Sequence, residues 1–435
     1  MPPQSATPQP ATPQTARAIN DRAALALFAA RGALTAGQLQ EATGLARPTV
    51  TELLGRLGSA GLIEQIGEVG ADRRGPNARL YALAGRRACV AGIDVRTDIV
   101  YLTVTDLAGR TVAERATPIP PGTPTPAALD TVTAVLAEAV RESQSGPLCS
   151  VSIGMPGLIN PVTGRVRPVA AEAGWHAELA QAVRDRTGLD AAAVTLDNEV
   201  NLAGIAEHRV IGPQGIDSFG LLWLGPAGVG ASLILDGVLR RGASGGAGEL
   251  GFLAVPGAGP QIGPTDCTGG LYDLVSPAAV ARLAESHGLV GAGRSSRASG
   301  PAAVAAASRA ESVTAEPSST EPSSAEPSSA EPSSAELSYS VAPADFEHAG
   351  FRTELAARIA LGAAAFALVV DPGVVVLTGD LGRSGGTLLA TAVEERMAAV
   401  CPVQTRIRTT AVPGNPILTG AVATALDRAR AALWP

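Results

Sequence analysis

The stretch Gly242-Ala-Ser-Gly-Gly-Ala-Gly-Glu249-Leu-Gly-Phe252 places five glycines around one carboxylate. A carboxylate such as that of Glu249 can accept hydrogen bonds from hydroxyl groups. The phenyl ring of Phe252 can neither ligate a metal ion nor form a hydrogen bond of this kind. The stretch therefore combines one residue suited to a polar ligand with one residue that offers no such chemistry.

This loop resembles the signature loop of the ROK family (repressors, open reading frames and sugar kinases), which normally ends Gly-Glu-x-Gly-His. In that family the Glu and the His contact a sugar, and the His also ligates a structural zinc ion. Here Glu249 is kept and Phe252 replaces the His. The resemblance extends from about Cys89 to the end of the chain, apart from one insert. It implies an actin-like, hexokinase-type α/β fold with two lobes and a sugar in the cleft.

Composition limits the class of protein. The 435 residues suffice for two or three domains, and 46% hydrophobic with 3% aromatic residues indicates an aliphatic core. The 33 basic residues are all arginines, and the net charge of −7 argues against nonspecific coating of nucleic acid. We find neither a signal peptide nor an apolar run of bilayer length, so we expect a cytoplasmic protein without a membrane partner.

The cysteines are far apart in the sequence. They form no C-x-x-C pair, which argues against a disulfide framework and against a zinc site. The ROK zinc motif, Cys-x-Cys-Gly-x-x-Gly-Cys-x-Glu, is reduced here to the segment Gly263–Asp273 with the single thiol of Cys267. One Cys without a His cannot provide four ligands. The sequence therefore predicts no metal ion and no other cofactor.

Changes in residue composition and in the pattern of predicted strands and helices divide the chain into parts. Residues 1–16 are rich in Pro, Gln and Thr and are expected to form a disordered tail. Residues 17–85 form a basic and apolar unit, and residues 86–435 alternate strands with helices. Within the latter, residues 295–340 break the pattern, and from Glu316 to Ser334 they repeat Glu-Pro-Ser-Ser every five residues. Proline removes helix donors and Ser and Glu have little to bury, so we expect an extended, solvated insert there.

The second part carries three predicted helices. They are Ala23–Ala30, Ala36–Ala42 after a Thr35 N-cap, and Arg47–Leu57. In the third helix, apolar residues fall at i, i+3, i+4 and i+7, which gives one buried face. Two strands are predicted to follow, at Gly61–Ile66 and Arg79–Leu83.

This order of elements resembles a winged helix-turn-helix, which presents the start of its third helix to the major groove of double-stranded DNA. The side chains expected to reach bases or phosphates are those of Arg47, Thr49, Thr51 and Arg56. Between the two strands, Arg73 and Arg74 suit the electronegative minor groove. The alternative is a three-helix protein-interaction module with a basic hairpin.

Both phosphate loops depart from the ROK pattern. The family carries Asp-x-Gly-Gly-Thr after its first strand, so that backbone N–H groups can approach phosphate. This chain has Asp94-Val-Arg-Thr-Asp98, in which side chains replace the glycines and Asp98 adds negative charge. The adenosine-side loop, usually a glycine triplet, is Leu377–Leu381 here. The replacement of the glycines and the added charge of Asp98 both oppose nucleotide binding.

The position of the catalytic base is altered as well. ROK kinases use Asn-Asp-x-Asn, and this chain has Asn198-Glu199-Val-Asn201. Glu199 carries its carboxylate one methylene further out, and a displacement of about 1 Å can lower a rate roughly 100-fold. Three roles for Glu199 stay open: a structural carboxylate, part of a retained ligand site, or a working base.

Together these features predict a ROK-type transcriptional regulator, a repressor without kinase activity. The predicted ligand-binding residues are Gly157, Asn198, Glu199, Glu249 and Asp273. The resemblance further implies a homodimer or higher oligomer on a DNA operator, with a sugar or a sugar phosphate in the cleft that repositions the heads and alters operator affinity. Two alternatives remain: an active sugar kinase with an added DNA-binding domain, and a ligand-independent DNA-binding protein with a vestigial cleft.

Overall fold

We describe a computed structural model of the protein, which covers these residues: 13–70, 77–167, 174–225, 228–259, 269–289 and 341–435. Its helices are α1 Pro13–Arg31, α2 Ala36–Thr43, α3 Arg47–Ser59, α4 Thr125–Glu142, α5 His176–Thr187, α6 Glu199–Ile211, α7 Tyr272–Val275, α8 Pro277–Ser286, α9 Ala349–Val370, α10 Gly379–Val400 and α11 Pro416–Leu433. Its strands are β1 Leu34–Thr35, β2 Ile63–Val69, β3 Ala78–Leu83, β4 Cys89–Val95, β5 Ile99–Asp106, β6 Thr111–Pro118, β7 Leu148–Met155, β8 Leu158–Ile159, β9 Val166–Arg167, β10 Val194–Asn198, β11 Phe219–Gly225, β12 Gly228–Leu235, β13 Val238–Leu239, β14 Val374–Thr378 and β15 Arg406–Thr409.

The chain divides into two units. The first unit comprises Met1–Phe219, Ala231–Gly248 and Ala411–Pro435. The second unit comprises Gly220–Gly230 and Glu249–Thr410. The predicted insert at residues 295–340 lies outside the described residues.

The first unit begins with a head of three helices and an antiparallel sheet in the order β1-β3-β2. This confirms the predicted helix-turn-helix with two wing strands. One expectation is wrong: α1 begins at Pro13, inside the segment 1–16 that was expected to be disordered. Proline is well suited to the first turn of a helix, and the Gln, Thr and Ala that follow allow the helix to continue from there.

The capping residues of α2 fix the turn of the head. Thr35 Oγ1 accepts a hydrogen bond from the Gln38 backbone N–H at 3.2 Å, and Gln38 Oε1 accepts one from the Thr35 N–H at 2.9 Å. Gly44 ends the helix at φ +69°, a conformation that favours glycine. Because both ends are defined locally, α3 starts at Arg47, as predicted.

The head has its own apolar core. α3 contributes Val50, Leu53, Leu54 and Leu57, all buried, against residues of α1 such as Leu25 and Phe28. Burying one such side chain stabilises a fold by about 1.5–3 kcal/mol. The polar face of α3 is therefore fixed by the packing of its opposite face.

The rest of the first unit is built on a sheet in the order β10-β7-β4-β5-β6. Strands β10, β7 and β4 are parallel, whereas β4, β5 and β6 form an antiparallel meander. Helix α11 packs against β4, β7 and α6. A Cβ at Gly420 of α11 would lie 1.9 Å from the Leu202 carbonyl oxygen of α6, so close packing of these helices requires glycine there.

The second unit contains parallel strands β11, β14 and β15 with α7 to α10. Helix α9 has the length and composition of a membrane span, although half of its most apolar window is buried. The sequence did not predict this run, because Glu354 and Arg358 interrupt it. Phe351, Leu355 and Ile359 of α9 are buried. We interpret α9 as a core helix.

Candidate functional site

The first turns of α3 present polar side chains to solvent. Arg47 and Thr51 are exposed and Thr49 is half-buried. The Thr51 hydroxyl donates to the Arg47 carbonyl oxygen at 3.0 Å, which orders this turn. Ala46, the N-cap, has no side-chain oxygen to occupy the first N–H groups of α3. Helix N-termini of this kind attract phosphate.

Arg56 is engaged inside the head rather than extended into solvent. Its Nη2 lies 2.7 Å from Asp21 Oδ1 of α1, and its Nη1 lies 2.9 Å from Glu52 Oε1. The hydrogen bond to Asp21 raises the pKa of Arg56. These contacts favour a role in holding α3 against α1 over the predicted phosphate contact. Arg73 and Arg74 lie outside the described residues.

Three of the predicted ligand residues meet at the start of α6. Asn198 Oδ1 accepts hydrogen bonds from the N–H groups of Val200 at 2.9 Å and Asn201 at 3.4 Å, which caps α6. Asn198 Nδ2 donates to Glu199 Oε2 at 2.8 Å and to the Gly157 carbonyl oxygen at 3.2 Å. Both donors and the acceptor of Asn198 are thus in use. Asn198 therefore positions Glu199, and Glu199 is the group suited to a sugar hydroxyl.

A second hydrogen-bond network is centred on Asp197, the residue before Asn198. Asp197 is buried, and its Oδ2 accepts hydrogen bonds from Arg241 Nε at 3.0 Å and Arg241 Nη2 at 2.5 Å. Its Oδ1 accepts one from Asn201 Nδ2 at 2.9 Å. Arg241 immediately precedes the glycine-rich loop. The ion pair therefore ties the start of that loop to the start of α6.

The glycines of the loop are required by neighbouring backbone. A Cβ at Gly245 would lie 2.2 Å from the Ile159 carbonyl oxygen, and one at Gly248 would lie 2.0 Å from the Ala231 carbonyl oxygen. Both residues also have positive φ, +90° and +98°. Such contacts leave no room for a side chain. These two glycines therefore shape the loop whether or not a ligand is bound.

At the first phosphate loop, an arginine side chain takes up the buried carboxylate. Arg96 Nε donates to Asp94 Oδ2 at 3.1 Å, and the Arg96 guanidinium lies 5.0 Å from the centre of the Tyr101 ring. Asn415 Nδ2 donates to the same Asp94 oxygen at 2.7 Å. Asp94 is fully buried, and Asp98 is exposed on the turn. The Oδ2 atom of the Asp94 carboxylate thus accepts hydrogen bonds from two side chains of the protein.

The remaining predicted ligand residues belong to the second unit. Burial raises the pKa of Glu249, which precedes the turn Leu250–Phe252. Asp273 Oδ1 accepts a hydrogen bond from the Gly269 N–H at 2.8 Å. The segments carrying these carboxylates are joined by the hydrogen bond from the Leu271 N–H to the Leu253 carbonyl oxygen, at 2.9 Å.

The adenosine-side loop has a structural reason for its glycine. Gly379 has φ +75°, and a Cβ there would lie 2.4 Å from the Leu224 carbonyl oxygen of β11.

Within the described ranges, no cluster of three or more His, Cys, Asp or Glu residues is arranged to hold a metal ion. Cys267 lies outside those ranges.

Two elements of this site had no signal in the sequence. Arg241 follows Arg240 directly before Gly242, and no pattern links it to Asp197, 44 residues earlier. The bond from Asn415 to Asp94 spans 321 residues. The sequence shows that Arg96 replaces a loop glycine, but it does not show that Arg96 bonds to Asp94.

Known proteins resemble this chain in both parts. The ROK family model matches residues 90–428, and a model of the IclR helix-turn-helix domain matches residues 23–67. A xylose repressor of Caldicellulosiruptor bescii is 26% identical over 222 residues, which are 50% of this chain and 54% of that protein. A glucokinase of Halalkalibacterium halodurans is 30% identical over 162 residues, 35% of this chain and 47% of that protein.

The fold has a counterpart among solved structures. The crystal structure of a ROK family transcriptional regulator, a homologue of the E. coli MLC protein, aligns with a TM-score of 0.64 at 17% identity. The alignment covers 95% of this chain and 97% of that one. The chain spans about half the length of the curated relatives it matches. Because the family model covers most of its length, the chain belongs to the ROK family.

Proposed function

We propose that the protein is a DNA-binding transcriptional repressor of the cytoplasm, which binds its operator as a homodimer and releases it when a sugar binds. The observation that carries this proposal is the exposed start of α3 on a winged helix-turn-helix head. A two-fold symmetric dimer presents two such heads to the two halves of a palindromic site. Relatives named as repressors support the same function.

Selection from a random-sequence duplex library tests DNA binding directly. We expect the full chain to enrich a palindromic sequence at physiological salt, with a dissociation constant on the order of 10⁻⁸ M or lower. Enrichment of no sequence, or binding that depends on salt alone, would exclude a sequence-specific regulator and favour the protein-interaction module.

The protein is proposed to lack kinase activity. Phosphoryl transfer needs backbone N–H groups around the phosphates and a base in line with the hydroxyl. Arg96 occupies a glycine position of the phosphate loop and is bonded to Asp94, while Glu199 is bonded to Asn198.

We therefore expect no nucleotide turnover above background. A coupled assay with ATP, Mg²⁺ and a panel of hexoses, pentoses and amino sugars measures this. A matched assay with a ROK glucokinase controls for the detection limit. Turnover that disappears in Glu199→Gln would show that Glu199 works as a base and that the chain is a kinase.

The charges at α6 favour an uncharged effector. Arg241 is bonded twice to Asp197 and Arg96 once to Asp94, so a phosphate group would have to compete with these carboxylates for both cations. Glu199 adds a further negative charge at the start of α6. Two unit charges of the same sign 4 Å apart repel by about 4 kcal/mol near a protein surface. A neutral sugar avoids this repulsion and can donate its hydroxyls to Glu199.

We therefore expect neutral sugars to stabilise the protein more than their phosphates do. Thermal shift and calorimetric titration with D-xylose, D-glucose and N-acetyl-D-glucosamine, and with the 6-phosphates of the last two, measure this. At 100 times its dissociation constant, a ligand stabilises the folded state by about 2.7 kcal/mol. Tighter binding of a 6-phosphate would contradict the charge argument. Absence of any shift, with operator binding unchanged, would support the ligand-independent alternative.

A further inference from the structure

The head is attached to the rest of the first unit, which is built on the sheet β10-β7-β4-β5-β6 and is here called the lobe, through a short connection with hydrogen bonds on both sides. Residues 84–88 link β3 to β4, and the Gly146 N–H donates to the Arg86 carbonyl oxygen at 2.8 Å. Arg87 Nη1 donates to the Ala60 carbonyl oxygen at the end of α3. The connection therefore contacts both the lobe and the helix that carries the proposed DNA-binding residues.

The end of α11 provides a second contact with the head. Trp434, just beyond α11, packs against the apolar core of the head. Arg430 donates from Nε and Nη2 to the Leu107 carbonyl oxygen of the lobe, at 3.3 and 2.8 Å. The Arg430 guanidinium lies 5.7 Å from the centre of the Trp434 ring, within range of a cation–π interaction. Because Arg430 is bonded to Leu107 of the lobe, it can hold the Trp434 indole in a fixed position relative to the lobe.

The opposite end and the middle of α11 contact the proposed effector site. Asn415 caps α11 through Oδ1, which accepts hydrogen bonds from the backbone N–H groups of the first turn, and it donates to Asp94 through Nδ2. Gly420 lies against the Leu202 carbonyl oxygen of α6, and α6 begins at Glu199. One helix thus contacts the phosphate-loop carboxylate, the helix carrying Glu199, and, at its end, the head.

The joint between head and lobe borders a pocket that is open to solvent. This pocket, of about 270 Å³, is lined by Asp21, Arg56, Leu57, Ala60 and Leu62 of the head, by Arg87, and by Leu433, Trp434 and Pro435. The side chains around it are therefore not enclosed by a close-packed interior on every side. A head that meets the lobe beside an open pocket can change its angle without repacking either core.

We propose that Trp434 and Arg430 are positioning residues that fix the orientation of the DNA-binding head, and that α11 connects α6 to this contact as a rigid element. The proposal rests on the proposed function, since the orientation of the head matters only for a protein that reads DNA. Two heads on a dimer reach both halves of an operator only at one separation and one angle. Loss of the Trp434 contact therefore loosens the spacing requirement while each head stays folded.

A distance measurement tests the positioning without DNA or sugar. Spin labels are placed at Gln40→Cys on the head and Glu138→Cys on α4, both exposed positions. Cys149 and Cys267 are changed to Ser in this background, and labelled protein is diluted with unlabelled protein so that only pairs within one chain contribute. We expect one narrow distance population in the parent, and a distribution at least about twofold broader in Trp434→Ala.

Matched variants separate positioning from stability. Arg428 lies on the same helix, but its Nη1 contacts the Ala192 carbonyl oxygen, away from the head, at 3.0 Å. Arg428→Ala is expected to keep the narrow distribution, and Trp434→Phe to restore most of it. Arg430→Ala provides a second test if Trp434→Ala does not fold. An unchanged distribution in a folded Trp434→Ala or Arg430→Ala variant would overturn the proposal.

Operator spacing gives the functional readout. On the selected palindrome, insertion of one base pair between the half-sites is expected to weaken parent binding by about tenfold or more, and Trp434→Ala binding by less than about threefold. A variant that keeps the parent's spacing requirement would also overturn the proposal. If no palindrome is selected, the proposed function fails, whereas the distance measurement still decides whether Trp434 orients the head.

Discussion

An Arg47→Ala, Thr51→Ala double variant is expected to bind the selected operator roughly 100-fold more weakly than the parent. A side chain that reads a base contributes about 1–3 kcal/mol of discrimination, and two losses near the lower end of this range, about 1.4 kcal/mol each, sum to the stated factor. Stability should change little, because both side chains are exposed and Ala is a better helix former than Thr. Competition binding at fixed salt, with a scrambled duplex beside the operator, measures the effect.

Arg31→Ala is the matched control for this variant. Arg31 is an exposed arginine of the head at the end of α1, on a different helix from the two altered residues. Its loss removes the same charge as the loss of Arg47, so it corrects for long-range attraction to DNA. We expect less than a threefold effect, roughly equal on both duplexes. An equal loss in the control and the double variant would show that α3 does not read the operator.

The head was predictable because its signals are local. Thr35 and Gln38 form a capping box within four residues, and Gly44 supplies the left-handed turn. The apolar spacing of α3 indicates its buried face from the sequence alone. The signals that place Arg47 at the start of α3 act within a few residues of each other, so no tertiary information was needed.

The partners of charged residues were not predictable, since they depend on contacts between distant parts of the chain. Arg56 has the exposed spacing of a phosphate ligand in the sequence, but Asp21, 35 residues earlier, takes up its guanidinium. Asp197 has no visible partner until the fold brings Arg241 beside it. Sequence periodicity indicates which face of an element is buried, and it carries no information about which two charged side chains meet.

The glycine-rich loop illustrates how a correct family assignment can leave a residue's role open. The resemblance associates the loop with a sugar, while Gly245 and Gly248 are fixed by the backbones of Ile159 and Ala231. Their retention therefore follows from packing, and it is compatible with the loss of the His at the position of Phe252. This chain can therefore keep the fold of the family without keeping the family's catalytic or sugar-binding chemistry. Variants at Glu199 and its neighbour Asn198 test whether that chemistry is kept.

Replacing Asn198 is expected to weaken the binding of sugar, and the choice of substitute separates two roles of the side chain. Asn198 caps α6 through Oδ1 and holds Glu199 through Nδ2. Serine caps helices about as well as asparagine but is too short to reach the Glu199 carboxylate, whereas alanine does neither. We expect Asn198→Ala to lose about 1 kcal/mol of unfolding free energy, and Asn198→Ser to lose much less.

Both variants should bind the effective neutral sugar about 10- to 100-fold more weakly, because a hydrogen bond to a charged group contributes about 1.5–3 kcal/mol. Calorimetric titration gives the affinity and chemical denaturation the stability. Thr35→Ala, which removes the cap of α2 in the head, is the control: it should lose a similar stability and keep the sugar affinity. Normal sugar affinity in Asn198→Ser would show that Glu199 binds without its neighbour, and the positioning role of Asn198 would be wrong.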